Sequence, residues 1–224
     1  MKKFSLLALV AITIAMVTGC KPECYYDPIN GHPDIIKTKI VPGTRVLFLG
    51  DSVTDEMYHT KTGLGSWVNW FAEYADITAK NIAICGSTYS LYRLNVDGFS
   101  IKKGIIEKIN LDDYDYIFVA GGVNNIHGVD DVTTSFIDLD YTCKALSKYG
   151  DKVIICNPFY FNDKSNDMTQ TETTYFRDAI YENAVKYGFS YVDLTKFQYE
   201  RKDEIHPTAL GCIQIALQMY NLFK

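Results

Sequence analysis

The stretch Val46-Leu47-Phe48-Leu49-Gly50-Asp51-Ser52 decides how the rest of the chain is read. Four consecutive apolar residues form a short strand buried on both faces, as the strands of a parallel sheet are. Gly50-Asp51-Ser52 then breaks the strand and leaves a hydroxyl at its carboxyl end, where ligands collect in open α/β sheets. A serine there is a candidate nucleophile once a base and an oxyanion site accompany it. The same tripeptide also reads as a turn followed by a helix cap, since all three residue types favour turns.

Downstream the pattern repeats. Ser66 is a candidate helix cap, and Trp67, Trp70, Phe71 and Tyr74 follow at the spacing of one helical face. Asn81 to Cys85 reads as a second strand, Gly98 to Ile109 as a helix, and Tyr116 to Ala120 as a third strand stopped by Gly121-Gly122. Asp131 to Tyr149 reads as a helix closed by Gly150. Val153 to Cys156 gives a fourth strand, Glu172 to Tyr187 a helix, and Tyr191 to Leu194 a fifth strand. Pro207 opens a last helix. Strands alternating with helices predict an α/β fold: a three-layer α/β/α sandwich with a five-stranded parallel sheet, flavodoxin-like.

Upstream of the stretch the chain is of another kind. Lys2 and Lys3 precede a largely apolar run from Phe4 to Val17, too short to span a bilayer and of the length of a signal h-region. Val17-Thr18-Gly19-Cys20 resembles the lipobox of bacterial lipoproteins. That resemblance implies cleavage before Cys20, lipid on its sulfur, export, and a body anchored to the cell envelope. Four of the six prolines lie between Lys21 and Pro42, which suits a stiff spacer. Within it, Ile35 to Val41 is a candidate edge strand. The expected division is a signal peptide over 1–19, a lipidated tether over 20–43 and a catalytic domain over 44–224.

The composition is that of a globular protein, 47% hydrophobic and 22% charged. Loss of the first nineteen residues takes the net charge from −5 to −7, because Lys2 and Lys3 are their only charges. An acidic body without a Lys/Arg cluster argues against nucleic acid as a partner. Beyond Cys20 there are five cysteines, an odd number, so one thiol stays unpaired within a single chain. Cys85 and Cys156, in apolar runs, read as small buried hydrophobes. No metal-ligand spacing occurs, and neither a metal nor a cofactor is expected.

Four strand ends carry chemistry: Ser52, Gly86, the run Gly121-Gly122-Val123-Asn124-Asn125, and Asp203-Glu204-Ile205-His206-Pro207 after the fifth strand. Parallel strands bring these ends to one rim. Acyl transfer needs a nucleophile, a base, an orienting acid and oxyanion donors, and all four residue types are present. His206 is the histidine best placed as base, with His127 the rival. Each residue also has a plainer reading. Asp203 could be an acid at a helix N-terminus, Gly86 a strand terminator and Asn124 an Asx-turn.

Together these residues resemble the SGNH branch of the GDSL hydrolases. The matching blocks are Gly50-Asp51-Ser52, Asn81-x-x-x-x-Gly86, Gly122-Val123-Asn124-Asn125 and Asp203-x-x-His206-Pro207, in order from about Thr44 to the C-terminus. The resemblance implies Ser52 as nucleophile, His206 as base and Asp203 as its orienting acid. It also implies an oxyanion hole formed by the Ser52 and Gly86 amides and the Asn124 side chain. Asn125 departs from the family, which usually carries aspartate there. An amide can replace a carboxylate's accepted hydrogen bonds but not its charge.

The expected activity is a serine esterase acting on acyl esters, with O-acetyl groups on carbohydrate first. Lipid or thioester acyl hydrolysis and O-acyl transfer are the alternatives. A catalytically dead glycan-binding lipoprotein is a different class. The expected partners are a small or polysaccharide ester and, through Cys20, a membrane. Tyr89, Tyr92 and Arg93 in one rim loop, and Phe159, Tyr160 and Phe161 in another, either meet the substrate or pack the loops down.

Overall fold

The computed structural model describes residues 31–56, 65–90, 94–97, 100–103, 105–128, 131–159 and 170–224. Cys20 and the signal segment lie outside the described residues, as do Cys24, His59, Tyr92, Arg93, Tyr160 and Phe161. Five strands form one parallel sheet: β1 (Arg45–Gly50), β2 (Thr78–Asn81), β5 (Tyr116–Ala120), β6 (Val153–Asn157) and β7 (Ser190–Asp193), in the order β2-β1-β5-β6-β7. This is the α/β, flavodoxin-like sheet that the alternation predicts. Val46 to Leu49, Ile117 to Val119 and Val153 to Cys156 are fully buried, as expected of strands covered on both faces.

The helices are α1 (Trp67–Ala75), α2 (Ile105–Lys108), α3 (Val123–Ile126), α4 (Val132–Leu146), α5 (Gln170–Tyr187) and α6 (Ala209–Phe223). Helices α1 and α6 pack together on one face, where Phe48 of β1 stacks on Phe118 of β5 at 4.9 Å. Trp67, Phe71 and Phe223 press their ring edges onto that pair. The aromatic stripe of α1 is therefore core. Ser66 caps it by accepting a hydrogen bond from the Val68 amide. On the other face α4 packs on α5, and α5 on β6 and β7.

Three local expectations change. The second strand is Thr78–Asn81, earlier than Asn81 to Cys85, because β2 is the edge of the sheet and its outer side chains need not be apolar. Of the described residues in the stretch Gly98 to Ile109 only Ile105–Lys108 are helical; Ser100–Lys103 (β4) instead pairs antiparallel with Leu94–Asp97 (β3). The last helix starts at Ala209, and its cap is Thr208, which accepts from the Gly211 amide at 3.1 Å, rather than Pro207.

The start of α6 tolerates no side chain at Gly211. A Cβ there would stand 2.0 Å from the Glu200 carbonyl oxygen and 2.9 Å from Pro207 Cβ. Gly211→Ala is expected to destabilise the protein by roughly 1–3 kcal/mol or more, because backbone has to move to admit the methyl group. Urea unfolding of the variant beside its parent measures this.

Candidate active site

Ser52 stands two residues past the end of β1 and is buried. Its turn is closed by the Thr54 and Asp55 amides, which both donate to the Asp51 carbonyl. The Thr54 carbonyl accepts from Asn81 Nδ2 at 2.7 Å and from Ser66 Oγ at 2.9 Å. The nucleophile turn is thus tied to β2 and to α1. Asn81, the first residue of its sequence block, serves the turn from the side.

His206 reaches Ser52 from the loop before α6. Its Nε2 lies 2.9 Å from Ser52 Oγ. Its Nδ1 lies 2.9 and 3.1 Å from the two oxygens of Asp203. A carboxylate can only accept, so Nδ1 carries the ring proton and Nε2 is left as the acceptor for the serine hydroxyl. His206, not His127, is the histidine at the serine. His32 sits elsewhere, 2.8 Å from Asp178 and stacked on Tyr181.

Burial alone would raise the Asp203 carboxyl. The backbone amides of His206 (2.6 Å) and Ile205 (2.9 Å), together with the His206 ring, outweigh it and hold the group below the usual carboxylate range. Its side chain is 47% exposed, so this is a screened contact whose main effect is geometric. The loop is braced further. Tyr199 donates its hydroxyl to the Ile205 carbonyl at 3.1 Å, and Arg201 Nη1 donates to the Glu204 carbonyl at 2.9 Å. Lys202 donates its amide to the His206 carbonyl at 3.0 Å. Tyr199 is one of seventeen tyrosines, and nothing local in the sequence singles it out.

Gly86 lies in a turn pinned to β1. The Ile84 amide and Ser87 Oγ both donate to the Gly50 carbonyl, and the Cys85 amide donates to Asp55 Oδ2 at 2.7 Å. Gly86 has φ +79°, and a Cβ on it would meet nothing within 4 Å, so one side of its backbone is open to a ligand. Asn124, on α3, donates one Nδ2 hydrogen to the Ser87 carbonyl at 2.8 Å. That bond fixes the amide and leaves its second hydrogen for another acceptor. Ser52, Gly86, Asn124, Asp203 and His206 all stand on the carboxyl rim.

Asn125 is fully buried. Its carbonyl accepts from the Tyr89 amide at 3.1 Å, and its Nδ2 donates to Ser135 Oγ at 3.0 Å. Asparagine therefore performs the accepting task expected of aspartate, donates to Ser135 as well, and brings no charge into the interior. Cys156, Cys143 and Cys212 are buried, and burial pushes their thiols up. Cys85 is exposed, contrary to the expectation for it, because its strand-like run lies past the end of the edge strand. Tyr89 and Phe159 pack inward with almost no exposure, so these two loop aromatics hold the rim together.

Asp51 is read from sequence only as a turn former, and here it is a clamp. Its oxygens accept from the Val53 amide at 3.1 Å and the Val123 amide at 3.2 Å, joining the serine turn to the Asn124 helix. Burial raises its carboxyl from 3.8 to about 7, against the opposing pull of those amides. The folded state binds this proton more tightly than the unfolded chain does. The resulting stability is full below about pH 4 and is lost as pH rises through about 7, by about 4 kcal/mol at most. Asp51→Asn cannot ionise, so its stability relative to the parent should improve from about pH 4 to about pH 7 and level off above that. Urea unfolding across that range checks the slope; parallel curves would contradict it.

Among the described residues no group of three or more His, Cys, Asp or Glu could hold a metal ion, and no helix is long and apolar enough to cross a membrane. Residues 48–212 match the model of the GDSL-like Lipase/Acylhydrolase family. No curated protein matches the chain. Solved structures that resemble it include a member of the lipolytic protein G-D-S-L family from Veillonella parvula DSM 2008. That pair has 17% identity and a TM-score of 0.60, over 80% of this chain and 97% of the other. The acetyl xylan esterase AlAXEase is similar at 19% identity and a TM-score of 0.59, over 79% and 98%. Axe2, an acetylxylan esterase from Geobacillus stearothermophilus, is similar at 18% identity and a TM-score of 0.55, over 83% and 96%.

Proposed function

Since this chain belongs to the GDSL-like lipase/acylhydrolase family, an ester-hydrolysing serine hydrolase, we propose that Ser52, His206 and Asp203 are its catalytic triad and that it removes O-acetyl groups from carbohydrate. The observation that carries the triad is the run of contacts from Ser52 Oγ to His206 Nε2 (2.9 Å) and from His206 Nδ1 to Asp203 (2.9 Å).

Ser52 Oγ attacks the ester carbonyl carbon as its proton passes to His206 Nε2. The carbonyl electron pair moves onto oxygen, where the Ser52 and Gly86 amides and the second Asn124 Nδ2 hydrogen donate to it. Collapse expels the alcohol, which takes the proton from His206 and leaves Ser52 acetylated. Water then repeats the sequence from the other side, with His206 accepting its proton and returning it to Ser52.

The acetyl part of the proposal draws on the packed rim beside Gly122. A Cβ on Gly122 would stand 3.4 Å from the Tyr89 ring and 3.5 Å from the Phe176 ring, and that close packing suits a short acyl group better than a long one. The carbohydrate part draws on the acetylxylan esterases that share the fold. Residues 20–224 should be assayed on esters graded from acetyl to long-chain and on acetylated polysaccharides, with Ser52→Ala as the blank. The expected ranking has acetyl highest and acetylated polysaccharide deacetylated. A maximum at long chains would replace this reading with lipid hydrolysis.

The proposal includes export and lipid attachment at Cys20, supported by the Val17-Thr18-Gly19-Cys20 sequence. Fatty-acid labelling in a bacterial host should be lost in Cys20→Ala. Equal labelling of the variant would refute the attachment.

A further inference from the structure

The N-terminal segment approaches the domain from an unexpected side. It leads into β1, whose first residue is at the amino end of the sheet, so a spacer would be expected to arrive there. Instead it first meets the carboxyl end of β7. A Cβ on Gly31 would stand 3.0 Å from Asp193 Oδ2, and Asp34 Oδ1 accepts from the Asp193 amide at 2.8 Å. His32 is held by Asp178 and Tyr181 of α5, and Lys196 Nζ donates to its carbonyl at 2.6 Å.

From that end the segment descends antiparallel to β7. Ile35 and Tyr191 exchange both backbone hydrogen bonds, at 2.9 and 2.8 Å, and the Lys37 amide donates to Ser190 Oγ at 3.0 Å. At the bottom, Tyr116, the first residue of β5, donates its hydroxyl to the Lys39 carbonyl, and the Ile40 amide donates to the Phe223 carbonyl. Residues 31–41 are thus a strap fixed along the sheet edge from the catalytic rim to the opposite one. The expected edge strand is reduced to the single bridge at Ile35.

All five strands are parallel, so the end of β7 and the end of β1 lie on one rim. They are three strand spacings apart, about 14 Å. We propose that the catalytic rim faces the lipid surface to which Cys20 is attached, so that the enzyme draws its esters from the layer next to that surface. This rests on the serine-esterase reading and on lipid at Cys20. Ten residues, 21 to 30, lie between Cys20 and the strap. From Cys20 to Gly31 the chain spans at most about 37 Å when fully extended. A body of this size is about 40 Å across. The linker is therefore too short to wrap round it, and the opposite rim is held away from the surface. The net charge of −7 beyond residue 19 opposes adhesion to anionic lipid, so the anchor, not the surface charge, sets the orientation.

The opposite rim has its own handle, since α6 runs from beside His206 to Phe223, next to Ile40. Residues 20–224 carrying Cys20→Ser and Cys24→Ser should be given a histidine tag at either the N- or the C-terminus. Each form is bound to vesicles of neutral phospholipid doped with a nickel-chelating lipid and an acceptor-dye lipid. Cys85, exposed beside Gly86, takes the donor dye, while Cys143, Cys156 and Cys212 are buried. Energy transfer should be about twofold or more higher for the N-terminal attachment, given a body about 40 Å across. Equal or reversed transfer overturns the proposal, and so does absence of lipid on Cys20 of the native chain. Hydrolysis of a soluble acetyl ester by the unlabelled forms tests the esterase reading separately, because energy transfer does not depend on turnover.

Discussion

Ser52→Ala is expected to lower kcat on an activated acetyl ester by about a million-fold, and His206→Ala by nearly as much. The two side chains form one unit: the hydroxyl is a weak nucleophile until Nε2, 2.9 Å away, takes its proton. The double variant should then cost little beyond either single one. Asp203→Ala should retain more activity, on the order of a hundredfold above the other two. It removes the acceptor that fixes the His206 tautomer, but it leaves nucleophile and base in place. Steady-state rates with thermal unfolding of each variant make the comparison. Multiplicative losses in Ser52→Ala/His206→Ala would mean that the two residues act independently and would end the triad assignment.

The second large effect is expected at Asn124. Removal of one oxyanion donor costs about a hundred- to thousandfold in turnover, roughly 2.7–4 kcal/mol. Asn124→Ala should lower kcat by that amount with little change in KM. Asn124→Asp should be worse at neutral pH, because a carboxylate would face both the developing oxyanion and the Ser87 carbonyl that Nδ2 now binds at 2.8 Å. That second partner complicates the variant, since a side chain that merely held the Ser87 turn would also lose by becoming acidic. Thermal unfolding separates the two roles. An oxyanion donor shows its loss in kcat with Asn124→Ala unfolding near the parent. A turn-holding residue shows a lowered unfolding temperature and a KM that rises with it.

Much of this was legible in the chain. The buried strands follow from short unbroken apolar runs such as Val46 to Leu49 and Ile117 to Ala120, bounded by turn residues, which is how strands covered on both faces read. The helix on Trp67 follows from its spacing and from Ser66. The placement of the five candidate residues on one rim was legible because each sits at a strand end or in a short loop, where order along the chain predicts the rim in a parallel sheet. Local periodicity failed where neighbours distant in sequence decide the outcome. Ser100–Lys103 pairs with Leu94–Asp97 instead of winding into the helix expected there. Cys85 is exposed because its run passes beyond an edge strand rather than into the interior.

By itself, then, the sequence determined the fold class, the order of the elements and the candidate chemistry, all of which depend on residue type and spacing. Tertiary structure supplied the contact itself, bringing His206, which the sequence already favoured over His127, from 154 positions away to 2.9 Å from Ser52. It also made Asp51 a buried clamp on the Val123 amide and turned residues 31–41 from a spacer into a strap along β7. In each case the partner lies far away in the chain, and the energy of the contact comes from burial and hydrogen bonds that exist only once the sheet has formed.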